Sequence, residues 1–361
     1  MVRTPLRHGY TTGACAAAAS LGAARMLREQ RRVEEVEIFL PAGFAAPFTL
    51  HGQMFDADSA RCFVVKDAGD DPDVTHGVEV HAEVARRRSP GLQIVGGAGI
   101  GRVTKPGLAV AVGEWAINPA PQRMIAAAVH SIFSADEGLR VSISIPDGEA
   151  RAQKTLNARL GIVGGLSILG TSGVVRPLSH LAWTDTLDVA LDVAQAAGLD
   201  TVVLSTGRTS EAAARRVLPL PEEAFVMMGD FVGHTLDACH RRGIPQLVLA
   251  AQFAKLVKIA AGHDRTHVRD SRLDLGRLAG WARQAGLDEA ATKRIESANT
   301  ARQALETAAD RQRLAAIVAA EALATLRRRA PGAAIGVLLA GYDGQPAESY
   351  GDWPKQDNRG V

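Results

Sequence analysis

The sequence predicts a two-domain α/β protein. Residues 1–155 should form an α+β domain on a largely antiparallel sheet, and residues 156–270 a Rossmann-like parallel α/β domain. A helical region with a returning strand (271–348) and a loose tail (349–361) should follow. Three observations carry this. A chain of 361 residues is long enough for two separate cores. Alternating strand patterns crowd residues 33–86, as in a half-buried antiparallel sheet. From Ile162 onward, short apolar runs alternate with helical stretches, the rhythm of a parallel sheet covered on both faces.

The first helix follows G-Y-T-T-G-A-C-A-A-A-A. Thr11 or Thr12 can cap its first turn, and the alanines propagate it to about Arg28. Thr11, Thr12 and Gly13 would either offer free N–H groups to an anion or begin a tightly packed core helix. Strands are expected at Val33–Leu40, Phe48–Phe55, Arg61–Lys66 and Val78–Arg86. The turn holding Asp67, Asp70, Asp71 and Asp73 could take a divalent cation, although a solvated acidic turn is the commoner case.

Residues Gly96–Pro121 carry a G-x-G-x-G pattern at Gly97, Gly99 and Gly101, with Arg102, Thr104 and Lys105 behind it and Asn118 before two prolines. No helix follows the glycines directly, so this is not a dinucleotide fingerprint. The basic side chains suit an anionic substrate. Pro119 and Pro121 open a helix to about Phe133, and Leu139–Ile145 reads as a strand.

The stretch Gly164–Pro177, G-G-L-S-I-L-G-T-S-G-V-V-R-P, is the densest glycine and hydroxyl loop of the chain. Gly165, Gly170 and Gly173 allow close backbone approach, and Ser167, Thr171 and Ser172 add donors. We expect it on the ligand edge of the parallel sheet, after which a helix starts near Leu178. Strands at Thr201–Leu204, Phe225–Met228 and Gln246–Ala250 end in Thr206-Gly207, Gly229-Asp230 and Gln252 to Lys255. Ligands of open α/β sheets gather at such strand ends. Residues Arg272–Arg329 read as amphipathic helices for packing, and Ala333–Tyr342 as a last strand.

Composition excludes several classes. Net charge is +2, with no basic block, so no nucleic-acid partner is expected. No apolar run reaches membrane-spanning length. Cys15, Cys62 and Cys239 are dispersed, which fits a reducing cytoplasm. His263 and His267 flank Asp264, but Gly262 marks a helix end and no third ligand can be named, so no protein-bound metal is expected.

Several motifs in fixed order resemble the CbiD family of cobalt-precorrin-5B C1-methyltransferases of cobalamin biosynthesis. They are Leu6–Ala19, Gly99–Leu108, Gly113–Pro121, Gly164–Pro177, G-D-F-V-G at Gly229–Gly233, K-L-V-K-I-A-A-G at Lys255–Gly262, and Thr266-His267. One departure is Gln252-Phe253-Ala254, where the family often carries Gly-His. The resemblance implies methylation of C1 of cobalt-precorrin-5B by S-adenosylmethionine, giving cobalt-precorrin-6A in the anaerobic pathway. Cobalt then enters with the substrate, a tetrapyrrole bearing acetates and propionates. The expected donor site is Gly165, Ser167, Gly170, Thr171, Ser172, Gly173, Thr206 and Gly207. The expected substrate site is Thr11, Thr12, Gly13, Arg102, Thr104, Lys105 and Asn118. Asp230, Lys255, His263 and His267 are expected near the reacting centre. A cytoplasmic chain, a homo-oligomer and transient contacts with other corrin-pathway enzymes fit this reading. A non-catalytic tetrapyrrole- or nucleotide-binding subunit and a nucleotide-dependent oxidoreductase remain alternatives from the sequence.

Overall fold

A computed structural model describes residues 6–177 and 179–354. Leu178, where the sequence places a helix start, and residues 355–361 of the expected tail lie outside them. The chain divides into two compact units, Met1–His180 and Leu181–Val361.

In the first unit, β1 (Gly9–Tyr10) leads into α1 (Thr12–Glu29). Two short sheets and one large one follow, built from β2 (Glu35–Phe39), β3 (Ala45–Thr49), β4 (His51–Phe55), β5 (Ser59–Val65), β6 (Glu79–Arg86), β7 (Leu92–Gly96) and β8 (Arg102–Val103). Then come α2 (Pro119–His130), β9 (Leu139–Ser144), α3 (Gly148–Ala152), β10 (Ile162–Val163) and β11 (Val174–Val175). The large sheet has the order β4-β5-β6-β9-β7. It is antiparallel except where β7 runs parallel to β9. The expected strand Phe48–Phe55 is in fact two, broken at Leu50.

Helix α1 is buried along almost its whole length, from Thr12 to Leu27. Its alanines and glycines make this possible: a Cβ on Gly22 would lie 2.3 Å from Leu50 Cδ1. Larger residues would hold the helix off the sheet. The acidic turn is no cation cage. Asp67 is paired with Arg7, whose hydrogen bonding holds that carboxyl down at about 2. Asp70 accepts from Arg7 N at 2.6 Å. Asp73 accepts from the fully buried Lys66 at 2.6 Å.

The first unit extends to His180, beyond the boundary at residue 155 that the sequence suggested. Residues 156–177 are tied in by short pairings: β10 to β8, Leu166 to Ile100, Ile168 to Ile117, and β11 to β1. Two-residue bridges leave no periodic pattern, so the sequence could not show them.

The second unit contains α4 (His180–Ala196), β12 (Thr201–Ser205), α5 (Arg208–Val217), β13 (Phe225–Met227), α6 (Val232–Arg241), β14 (Gln246–Ala251) and α7 (Phe253–Ala260). Helices α8 (Leu275–Gln284), α9 (Glu289–Glu296), α10 (Ala301–Glu306) and α11 (Arg311–Arg329) follow, then β15 (Ala334–Ala340) and β16 (Pro346–Gly351). The sheet order is β13-β12-β14-β15-β16, with β12 to β15 parallel and β16 antiparallel. Val202, Leu204, Leu247 and Leu249 face the core shared with α4, α6, α7 and α11. Val203, Val248 and Ala250 face α5. Alternation along each strand thus buries both faces, as a parallel sheet requires. Ser349–Gly351, assigned to the loose tail from sequence, is instead part of β16. No helix among the described residues is long and apolar enough to cross a membrane.

Candidate functional site

The strand order places β12 between β13 and β14, so the chain reverses direction across the sheet at β12. In open α/β sheets the crevice at such a reversal, outside the carboxyl ends of the strands, receives ligands. Four turns meet there. After β12, Gly207 is fully extended and caps α5 without a side-chain bond; a Cβ on it would meet nothing within 4 Å. Thr206 Oγ1 and Ser210 Oγ lie 3.3 Å apart, and Ser210 Oγ donates to Gly207 O at 2.9 Å. After β14, Gln252 caps α7 without a side-chain capping bond. After β15, Tyr342 stands partly exposed beneath the Arg302 guanidinium, 4.3 Å from its ring centroid.

After β13 comes Asp230, which organises the neighbouring loop 262–271. Lys255 Nζ donates to its carboxylate. Thr266 Oγ1 donates to the same oxygen at 2.6 Å, and Thr266 N donates to Asp230 O at 3.1 Å. Burial pushes the Asp230 carboxyl up, but the hydrogen bonds from Lys255 and Thr266 outweigh it and hold the group below the usual carboxylate range. An acid held ionised in this way is a weak base. Its task is to fix Lys255 and Thr266.

Three more contacts pin that loop. Lys258 Nζ donates to Thr266 O at 2.9 Å and Ser271 O at 3.1 Å. Gly233 N donates to Asp264 O at 2.9 Å. Arg329, at the end of α11, clasps Asp237 at 2.8 and 3.0 Å and also donates to Asp264. His263 and His267 ride half-buried on this loop. His267 Nδ1 accepts from Arg269 N at 3.2 Å, so the neutral ring carries its proton on Nε2 and offers a donor there. Among the described residues, no group of three or more His, Cys, Asp or Glu is arranged to hold a metal ion.

The structure therefore brings Asp230, Lys255 and the loop of His263 and His267 together. Thr206 and Gly207 share the carboxyl edge of the same sheet. The Gly164–Pro177 loop belongs to the first unit, where it encloses the start of α1. Thr11 Oγ1 accepts from Ala14 N at 3.2 Å, and Thr11 N donates to Gly173 O at 3.0 Å. Gly13 N donates to Leu169 O at 3.0 Å, Thr12 Oγ1 to Ser167 O at 3.5 Å, and Leu169 N to Thr12 Oγ1 at 3.0 Å. The N–H groups of Thr11 and Gly13, offered to an anion on sequence grounds, are thus spent inside the protein.

The three glycines of the loop each stand close against a neighbour. A Cβ on Gly165 would lie 2.3 Å from Gly99 O. Gly170, at φ +116°, would meet Thr11 at 2.4 Å, and Gly173, at φ +81°, would meet Leu40 at 2.8 Å. Ser172 Oγ bonds the Val174 backbone at 3.2 and 3.3 Å, while Thr171 is exposed.

The other basic loop is also largely engaged. The Arg102 guanidinium covers Trp115 at 3.6 Å and donates to Gly113 O at 2.6 Å. Thr104 Oγ1 donates to Gly161 O at 2.9 Å, and Lys105 Nζ to Arg159 O at 3.3 Å. Asn118 caps α2 without a side-chain bond. It adjoins a cleft of about 320 Å³ lined by Trp115, Ile117, Pro119 and Gln122. Thr266, Arg329, Trp183 and Tyr342 were not identified as site residues from sequence. The Thr-His pair was the one available signal, because the others sit on helices or strand ends with ordinary patterns.

Comparison with known proteins agrees with the motifs. The model of the CbiD family matches residues 2–177, and that of the CbiD C-terminal domain matches residues 265–350. The cobalt-precorrin-5B C(1)-methyltransferases of Geobacter metallireducens and Geobacter sulfurreducens are each 57% identical, over 94% of this chain and 97% of their own length. That of Pelobacter propionicus is 52% identical over 95% of both chains. A crystal structure described as a cobalamin biosynthesis protein (cbiD) from Archaeoglobus fulgidus is 31% identical, covering 71% of this chain and 80% of that one, with a TM-score of 0.40. With motifs, domain matches and full-length relatives in accord, this chain belongs to the CbiD family.

Proposed function

We propose that this protein is an S-adenosylmethionine-dependent methyltransferase that methylates C1 of cobalt-precorrin-5B in cobalamin biosynthesis. The observation that carries this is identity of 57% to enzymes of that name across nearly the whole of both chains. A chain with that activity works on a small tetrapyrrole in the cytoplasm.

The donor is assigned to the crevice between the ends of β12 and β14. Thr206 and Gly207 line one side, and the open space over Gly207 lets a ligand approach the backbone. Gln252 lines the other side. Bound there, the donor supplies a methyl group already activated on a sulfonium. The protein's own work is then to orient the two partners and exclude water, which can account for much of the rate. Asp230, Lys255 and Thr266 hold loop 262–271 at the mouth of the crevice. His267 Nε2–H and His263 are the donors we assign to the macrocycle from that loop. Within the first unit taken by itself, exposed Arg102 keeps guanidinium N–H groups that Gly113 does not use and can take a carboxylate. The Gly164–Pro177 loop is scaffold in this reading.

The test is direct. Purified protein is incubated with cobalt-precorrin-5B and methyl-labelled S-adenosylmethionine, and the product is analysed by mass spectrometry and NMR. One labelled methyl at C1 is expected. Donor binding without transfer would instead identify a binding subunit, and reduction of the substrate by a nicotinamide would identify an oxidoreductase.

A further inference from the structure

We propose that the indole of Trp183 is a stacking shelf for the flat tetrapyrrole ring, beside the carboxyl edge of the second unit's sheet. This rests on the methyltransferase reading above and adds where the macrocycle lies. Of the four tryptophans, Trp183 is the one left exposed, at 47%. Trp281 is buried at 8%, and Trp115 is covered by Arg102. Tryptophan carries the largest apolar surface of any side chain, and an exposed one beside a ligand edge is available for ring contact.

Its position is held by its neighbours. Trp183 sits in the first turns of α4 and lies nearly parallel to Phe231, at 19° and 6.2 Å between ring centroids. Gly229, two residues before Phe231, adopts φ +58°, and a Cβ there would come within 3.5 Å of the indole. The indole thus lies against the turn that ends in Asp230. Beyond Phe231, the Arg265 guanidinium lies 5.0 Å from that ring's centroid. Trp183, Phe231 and Arg265 thus form a layered stack whose free end is the indole.

The charge beside the stack selects the occupant. With Asp264 committed to Arg329, loop 262–271 and α7 offer Lys255, Lys258, Arg265 and Arg269 against Asp230 and Asp270. Lys258 is held by two backbone carbonyls rather than by a carboxylate, so its charge is not neutralised by its hydrogen bonds. Adenine carries no acidic substituent and gains nothing from a cationic rim. A flat apolar ring with acetate and propionate arms gains on both counts. The shelf therefore suits the acceptor, and the donor keeps the crevice at Gly207.

The experiment uses the full chain and cobyrinic acid, a stable cobalt corrin with free carboxylate arms. Its binding is followed by absorbance, S-adenosylhomocysteine binding is followed by calorimetry, and folding is checked by thermal melts. Trp183→Ala should weaken cobyrinic acid about tenfold, and Trp183→Phe should remain within about threefold of wild type. Both should bind S-adenosylhomocysteine as wild type does and keep its melt. The proposal is overturned if Trp183→Ala binds cobyrinic acid normally, if it loses S-adenosylhomocysteine instead, or if wild type has no affinity for the corrin. Wild type that binds the corrin through Trp183 but never methylates cobalt-precorrin-5B would uphold the shelf and sink the methyltransferase reading alone.

Discussion

Thr266 holds Asp230 twice, by its hydroxyl at 2.6 Å to the carboxylate and by its backbone N–H at 3.1 Å to the carbonyl. A loop 36 residues downstream is thereby fixed to the end of β13. With Lys255 on the same carboxylate oxygen, side chains from the ends of two parallel strands and one loop become a single rigid corner.

The first prediction follows from that corner. The folded-state pKa of Asp230 lies below its ordinary 3.8, so its contribution to stability is fully present above that value and disappears as pH falls through the folded pKa. Asp230→Asn should be less stable than wild type at neutral pH by about 1 kcal/mol, allowing for solvent screening. Thermal melts of the two proteins should converge as pH falls below the ordinary carboxylate range. Turnover should fall about tenfold or more at neutral pH, and wild-type turnover should approach that of the variant as acid protonates the carboxylate. Wild-type turnover in Asp230→Asn would remove Asp230 from the machinery.

Gly207 and Gly170 make opposite predictions although both lie in glycine-containing loops. Gly207 is extended and faces open space, so Gly207→Val should melt like wild type. It should weaken S-adenosylmethionine about tenfold or more by filling the approach to the backbone. Calorimetry with the donor alone decides this, and unchanged affinity would remove the donor from that crevice.

Gly170→Ala should cost stability and spare the donor. Its φ of +116° strains any side chain, and the new Cβ would strike Thr11. A loss of about 1–3 kcal/mol in denaturant unfolding is expected, with donor affinity unchanged. A stable Gly170→Ala protein that no longer binds S-adenosylmethionine would return this loop to the ligand site.

The cysteines offer a quick check of the packing. Burial pushes the thiols of Cys15, Cys62 and Cys239 up to about 12, so all three should be protonated and inaccessible at pH 8. Iodoacetamide should label none of them in the native protein and all of them in guanidinium, as read by intact mass.

What the sequence determined by itself was local. The alanine-rich helix with its threonine cap, the strands of the large sheet and the strand–helix alternation after Thr201 all follow from side-chain period and capping chemistry, and they stand in the structure within a few residues. The motifs likewise placed the chain in its family. Only the tertiary structure decided where those motifs lie. Gly164–Pro177 reads as a ligand loop because glycine and hydroxyl residues serve ligands and tight packing equally well; the pairings to Ile100, Ile117 and β1, which leave no periodic signal, hold it around the start of α1. Asp230, Lys255, Thr266 and Arg329 lie far apart in the chain, and no periodicity links them. Their meeting depends on the order in which parallel strands are laid beside one another, a non-local choice that no local pattern records.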